Sequence, residues 1–205
     1  GNRVPAVGSN QAVRAAAGET YKSVDLNGRT MLPGFIEPHM HFALMAGLGH
    51  WPDIGPFEYE STSEALEALK EIAANTPRDE WVVARQFDPS LQHGPAMLTT
   101  AELDAVESER PVFVLNASGH LAYGNSRLLE FAKVGPDTPN PPGGEYFRYP
   151  DGSPNGAMSQ VAYLPILMSN QKLMSSLGSG FVEAGLRVGD EAAALGITTL
   201  CDQAT

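Results

Sequence analysis

Short apolar runs alternate along this chain with segments that repeat their apolar residues at helical spacing, and that alternation restricts the fold to the α/β class. Strands are predicted at 81–87, 111–116 and 197–201, each rich in β-branched or aromatic residues. Helices are predicted at 61–75, 100–109, 126–133 and 181–195. The first opens on a capping box, Ser61 with Glu64, gathers Leu66, Leu69 and Ile72 on one face, and is followed by Pro77. In the second, Leu103 and Val106 are the core positions, and Gly196 ends the last helix. Residues 135–160, rich in Gly, Pro and Asp, read as an ordered excursion over the surface. Methionine and aromatic residues between 163 and 174 read as helix packing.

Residues 1–30 read differently. Segments 4–7 and 21–26 suggest short strands, with Asn27-Gly28 as a tight hairpin turn, as in a fragment of a small β-domain. A second unit, 31–205, then opens with an apolar run over 31–42 that reads as a buried strand. The chain stops directly after the strand at 197–201, with no helix to cover it, so an incomplete fragment is expected.

With 205 residues, 42% of them hydrophobic, the chain can bury a substantial core. Thirteen basic against 24 acidic residues give a net charge of −11, which argues against a nucleic-acid groove built on clustered Lys and Arg. No stretch approaches the roughly 20 apolar residues of a membrane span, and the N-terminus lacks the order of a secretory signal. A lone cysteine, Cys201, builds no disulfide framework; a reducing, cytoplasmic location is the expectation.

The chemistry concentrates in the strand at 31–42. Side chains two apart on a strand share a face, so Glu37, His39 and His41 stand together opposite Pro38, Met40 and Phe42. The second set is apolar and suits an outer helix layer; the first is polar. Two imidazoles so placed can converge on one metal at about 2.0–2.1 Å each. The competing reading is a pair of core or surface histidines. With five histidines in the chain, chance produces some His-x-His pair in roughly one such sequence in eight. A buried strand, an apolar opposite face and the Pro33-Gly34 turn feeding it weigh toward the metal.

The run Gly28-Arg29-Thr30-Met31-Leu32-Pro33-Gly34-Phe35-Ile36-Glu37-Pro38-His39-Met40-His41 closely resembles the opening signature of the amidohydrolase superfamily. Residues 81–88 and 98–104, Ser118-Gly119-His120 with Asn125-Ser126, residues 141–144, Asp151-Gly152 and Gly156-Ala157-Met158 resemble the amidohydrolase family 3 branch, which includes N-substituted formamide deformylases. The resemblance covers nearly the whole chain and ends in Gly196-Ile197-Thr198-Thr199-Leu200 with Asp202, which is similar to a further barrel strand. It implies a partial (β/α)8 TIM-type barrel preceded by a fragment of a small β-sandwich domain. It also implies His39 and His41 as ligands of a divalent metal, zinc as the expected ion, in a site of one or two ions. The implied activity is metal-dependent hydrolysis of a carbon–nitrogen bond, an amide or formamide of a small molecule, with further ligands and the proton-shuttling Asp on later barrel strands. One departure matters: where this branch often carries Glu, the chain has Gln160, a poor ligand, which speaks against a binuclear site bridged there.

His120, Asn125 and Asp88 are the candidate substrate-binding residues. Each has a structural alternative: a loop cap for His120, a helix N-cap for Asn125, and a turn before Pro89 for Asp88. Asp202 reads as a hydrogen-bonding partner of neighbouring loops before it reads as catalytic, and His50 and His93 as exposed. The runner-up function is a non-catalytic amidohydrolase-like scaffold; another ring-opening hydrolase or deaminase is a third. A homo-oligomer and a missing C-terminal portion both stay open as partners.

Overall fold

The computed structural model describes residues 3–178 and 180–203. It forms two units, Gly1–Phe35 and Ile36–Thr205. In the first, helix α1 (Asn10–Ala17) follows an N-cap at Ser9, whose Oγ accepts from the Ala12 N–H at 3.2 Å. The strands expected at 4–7 and 21–26 do not form, so no β-sandwich fragment stands here among the described residues. A strand needs a ladder partner and a covered face, whereas Val4, Val7, Tyr21 and Val24 are all exposed. The turn at Asn27-Gly28 does form. Both residues take positive φ, 51° and 77°, and the Arg29 N–H donates to the Leu26 carbonyl at 3.1 Å.

The chain continues through β1 (Phe35–Met40), α2 (Phe42–Leu48), α3 (Thr62–Asn75), β2 (Val82–Phe87), α4 (Thr100–Val106), β3 (Val112–Asn116), β4 (Leu121–Gly124) and α5 (Ser126–Ala132). Then come β5 (Tyr146–Arg148), β6 (Pro154–Ser159), α6 (Gln160–Ser169), α7 (Gln171–Gly178), α8 (Phe181–Ala194) and β7 (Ile197–Asp202). The capping box of α3 is present, with the Glu64 N–H on Ser61 Oγ and the Ser61 N–H on the Glu64 carboxylate.

Two sheets result: a five-stranded one in the order β2-β3-β4-β6-β5, and the pair β1-β7. Only β2 and β3 run parallel in the larger sheet; the other pairs are antiparallel. The strands at 81–87 and 111–116 therefore do not follow β1 around a parallel barrel. Residues 117–120 join β3 to β4 directly, and a parallel connection needs a dozen residues or more. The region 135–160 is likewise no surface excursion, because β6 lies inside the sheet between β4 and β5. Gly156 makes this possible: at φ 93°, any Cβ there would sit 2.2 Å from the Gly124 carbonyl oxygen of β4.

Strand β3 is buried along its whole length, and its side chains alternate between two cores. Val112 and Val114 join Leu69 of α3, Leu103 of α4, Tyr123 and Ala157. Phe113 and Leu115 join Leu128 of α5, Ala122, Met158, Tyr163 and Ile166. The registers Val114↔Tyr123 and Tyr123↔Ala157 keep the first set on one face. Each fully buried Val, Leu, Phe or Met among them contributes about 1.5–3 kcal/mol of transfer free energy.

Two side chains close the polar ends of these helices. The buried guanidinium of Arg110 donates to the carbonyls of Ala73, Thr76 and Pro77 and to the Glu107 carboxylate. Asn125, fully buried, caps α5. Its Oδ1 accepts from the N–H groups of Leu128 and Val112, and its Nδ2 donates to the carbonyls of Glu107 and Arg110. All four hydrogen-bonding positions of the carboxamide are thus committed to backbone, which replaces the substrate contact expected for Asn125 with its structural alternative. On the other side of the sheet the Tyr163 hydroxyl of α6 donates to the Gly119 carbonyl at 2.5 Å, pinning the β3–β4 turn.

Replacing Asn125 with Ala strands buried backbone groups on α5, β3 and the segment before it, and is expected to cost about 3 kcal/mol or more. The check is a lower urea midpoint at unchanged slope; Asn125→Asp should fail to rescue, since a carboxylate would face two carbonyls. Burial pushes the Tyr163 phenol up to about 12. An unfolded tyrosine loses its proton near pH 10, so the folded chain holds this proton longer. The stability contributed is complete below pH 10 and is lost as pH rises from about 10 to about 12, on the order of 2–3 kcal/mol for a side chain only 3% exposed. Denaturation measured across that window should fall less steeply in Tyr163→Phe than in the parent. Tyr123, also raised by burial, contributes a decline of the same sign to both.

Candidate metal centre and adjoining cleft

β1 places its polar face as alternation requires. The rings of His39 and His41 lie on the same side, with centroids 5.4 Å apart and planes at 86°. His39 is exposed and His41 half-buried. Glu37 shares the face, but its carboxylate turns back on the strand and accepts from the His39 N–H at 3.0 Å.

β1 ends where α2 begins. His41 occupies the N-cap position of α2, yet its ring makes no capping bond. The cap comes from β7: the Asp202 carboxylate accepts from the Ala43 N–H at 3.1 Å. Next to it the Gln203 N–H donates to the Met40 carbonyl at 2.8 Å, so the C-terminal ends of β1 and β7 lie together. Asp202 thereby takes the hydrogen-bonding role that its position suggested, and the imidazole of His41 is left for other use.

Two imidazoles on one tetrahedral zinc would have ring centres roughly 5 Å apart, given metal–nitrogen bonds of about 2.0–2.1 Å. The observed separation is close to that, so the pair fits two ligand positions. A zinc site takes at least three protein ligands, and among the described residues no group of three His, Cys, Asp or Glu comes together to hold a metal.

Beside His41 opens a cleft of about 400 Å³. Leu44, Met45 and Leu48 of α2 form one wall, Val188 and Arg187 of α8 another. The floor is the end of the five-stranded sheet: Arg85 and Gln86 of β2, Leu115 and Asn116 of β3, and the turn 117–119. That turn is built on itself. Asn116 Oδ1 accepts from the Ser118 N–H and hydroxyl, Asn116 Nδ2 donates to Tyr123 Oη, and Ser118 Oγ accepts from the His120 N–H. Burial raises the Tyr123 phenol; Asn116 opposes that shift and the Asp88 charge adds to it.

The sequence-nominated residues spread over this end of the sheet. His120 is exposed just beyond the turn, with Nδ1 3.4 Å from Gln160 Oε1, and does not line the cleft. Asp88 also lies outside the cleft wall. Its Oδ1 accepts from the N–H and hydroxyl of Ser90, and its own N–H donates to Gln92 Oε1, the turn role that was its alternative. His50 and His93 are exposed. Sequence reasoning missed Gln86 and the contribution of α8. Nothing in the residue pattern marks Gln86, because what distinguishes it is a backbone angle.

With that geometry in view, the comparisons with known proteins are specific. A family model described as amidohydrolase family matches residues 22–204. N-substituted formamide deformylase from Arthrobacter pascens is 33% identical over 162 residues, 79% of this chain and 30% of that protein. The exoenzymes regulatory protein AepA from Pectobacterium carotovorum subsp. carotovorum is 33% identical over 173 residues, 80% of this chain and 36% of that protein. Among solved structures, an uncharacterized metal-dependent hydrolase from Pyrococcus horikoshii OT3 is similar with a TM-score of 0.45 and 18% identity, over 82% of this chain and 30% of that one. The chain spans about a third of the length of the curated relatives it matches. It belongs to the amidohydrolase family.

Proposed function

We propose that this chain carries the opening metal ligands of a hydrolase that cleaves a carbon–nitrogen bond, an amide or formamide of a small molecule, with a divalent metal and zinc as the expected ion. The observation that carries this reading is the His39–His41 pair, rings on one side of β1 and 5.4 Å apart, at the border of the cleft. A divalent cation, when bound, supplies a water acidified to a pKa of about 7 and polarises the substrate carbonyl.

The chain's own residues prepare part of this site. His39 and His41 hold the cation through ring nitrogens that the fold leaves uncapped. Asp202 fixes the turn from β1 into α2 and so sets where the His41 ring stands. Leu44 and Met45 on the wall and Leu115 on the floor offer apolar surface to a substrate seated there. His120, next to the pinned turn 117–119 but outside the cleft lining, would meet only a part of the substrate that extends beyond the cleft. Two imidazoles are fewer than the three protein ligands a zinc site takes, so this pair by itself is expected to bind metal weakly. A second reading, a non-catalytic scaffold of the same family, draws on Gln160: the neutral carboxamide beside His120 offers no charge to a second ion.

Titration with Co²⁺ tests the ligand pair. The parent chain should develop visible d–d absorption, and His39→Ala and His41→Ala should each weaken binding by at least about tenfold. Binding that persists unchanged in the doubly substituted chain would falsify the assignment. The scaffold reading gains if the parent binds no metal at all.

A further inference from the structure

Among the described residues, three other than glycine take positive φ: Asn27, Lys133 and Gln86. The first two have ordinary reasons. Asn27 sits in the Asn27-Gly28 turn, and Lys133 is the left-handed C-cap of α5. Gln86 has neither. At φ 70° it lies inside β2, at the point where the register with β3 slips between Ala84 and Phe87. A side chain in this region strains the backbone and persists only where the surroundings impose it, whereas glycine adopts it without steric penalty. The surroundings do impose it. Phe87 next door is fully buried, and Gly55 packs so closely that a Cβ there would stand 2.7 Å from the Gln86 carbonyl oxygen. Strain held in place by the fold and located at a cleft is the pattern of a functional position.

Three further observations say what the position does. Gln86 lines the cleft that His41 borders. It is half-buried, and among the described residues no hydrogen bond engages its carboxamide. The cationic groups around it each have an acidic partner: Arg85 meets Asp53 at 3.4 Å and the Trp51 carbonyl at 3.2 Å, and Arg187 meets Glu183 at 3.2 Å. Glu191, exposed on the α8 wall, adds a charge that opposes a carboxylate ligand. Facing the apolar side chains of α2, Gln86 thus offers a neutral donor–acceptor group that no hydrogen bond engages among the described residues.

We infer that Gln86 is a specificity-determining residue: its carboxamide pairs with the neutral amide group of the ligand, donor to carbonyl and acceptor to N–H, and selects amides over acids and amines of the same shape. The inference rests on reading the cleft as the substrate side of the His39–His41 pair.

The test uses the metal-free chain, with N-hexylformamide, hexanoate and hexylamine as probes. Binding is read from NMR shifts of the Gln86 side-chain amide and of the Leu44 and Val188 methyl groups. The formamide should shift these signals and bind at least about tenfold more tightly than the acid or the amine. Gln86→Gly should raise the melting temperature, because the left-handed strain is gone, while weakening the formamide by at least about tenfold and levelling the three probes. Gln86→Asn, which keeps a carboxamide and tolerates the backbone, should retain the preference. Failure of the formamide to shift the cleft signals, or undiminished binding by Gln86→Gly, overturns the role given to Gln86. Co²⁺ titration of the same samples separates the two ideas. Normal metal binding with a silent Gln86→Gly removes only this inference; lost metal binding with an intact amide preference removes only the metal site.

Discussion

Strand β3 is the constraint from which the second unit follows. All five of its side chains are buried, so both faces need apolar cover, and its backbone needs a ladder partner on each edge. Parallel β2 meets the first edge and antiparallel β4 the second, while α3 and α4 cover one face and α5 and α6 the other. A polar group exposed to that interior without a partner would cost as much as a buried Leu contributes. That is why Asn125 and Arg110 matter out of proportion to their number: they satisfy the backbone groups that the close approach of helices to β3 would orphan.

The same rigidity sets the geometry of the cleft. Leu115 and Asn116 at the end of β3 are its floor, and the turn that follows is held twice, by Asn116 from within and by Tyr163 from α6. The β2 bulge at Gln86 stands beside it. A site floor built from strand ends and a doubly tethered turn keeps its shape better than one built from free loops. The wall from α2 is different in kind: Leu44, Met45 and Leu48 meet the cleft with apolar side chains that can slide without breaking hydrogen bonds.

Much of this was legible in the residues. The capping box at Ser61 and Glu64, the apolar face of α3 and the Gly196 stop each act through neighbours in sequence, and the helices formed where those signals lie. The His39–His41 alternation was equally local, since a strand has a period of two. What stayed hidden depended on distant contacts. Residues 154–159 carry no strand-like run of β-branched residues, and Gly156 reads as a loop residue until β4 is beside it. Antiparallel pairing of β3 with β4 turns on a four-residue connection whose length matters only once both strands are recognised. The first unit erred the other way: Val4, Val7 and Val24 have strand propensity, but propensity without a covered face decided nothing, and Ser9 with the alanines after it made a helix instead. For Asn125, residue type before a helix already favoured the N-cap over a substrate contact, and burial with four committed hydrogen bonds bears the cap out.

The candidate ligands stand on the less buried part of the second unit. β1 and β7 have no fully buried residue, against five in β3, so the two-stranded sheet has little transfer free energy to hold it and depends on end contacts such as Asp202 to Ala43. A cation shared by His39 and His41 would add a cross-link at that end, and its binding energy would be partly spent on ordering β1. Gln86 shows the opposite arrangement, a strained residue clamped between a buried Phe87 and a tightly packed Gly55. On the proposed reading, the cleft would join a preorganised polar contact to a candidate ligand pair whose geometry is set by weak contacts. Substrate selection in such a site would be rigid before metal is present, while the reacting centre would take its final shape only when the ligands close on the ion.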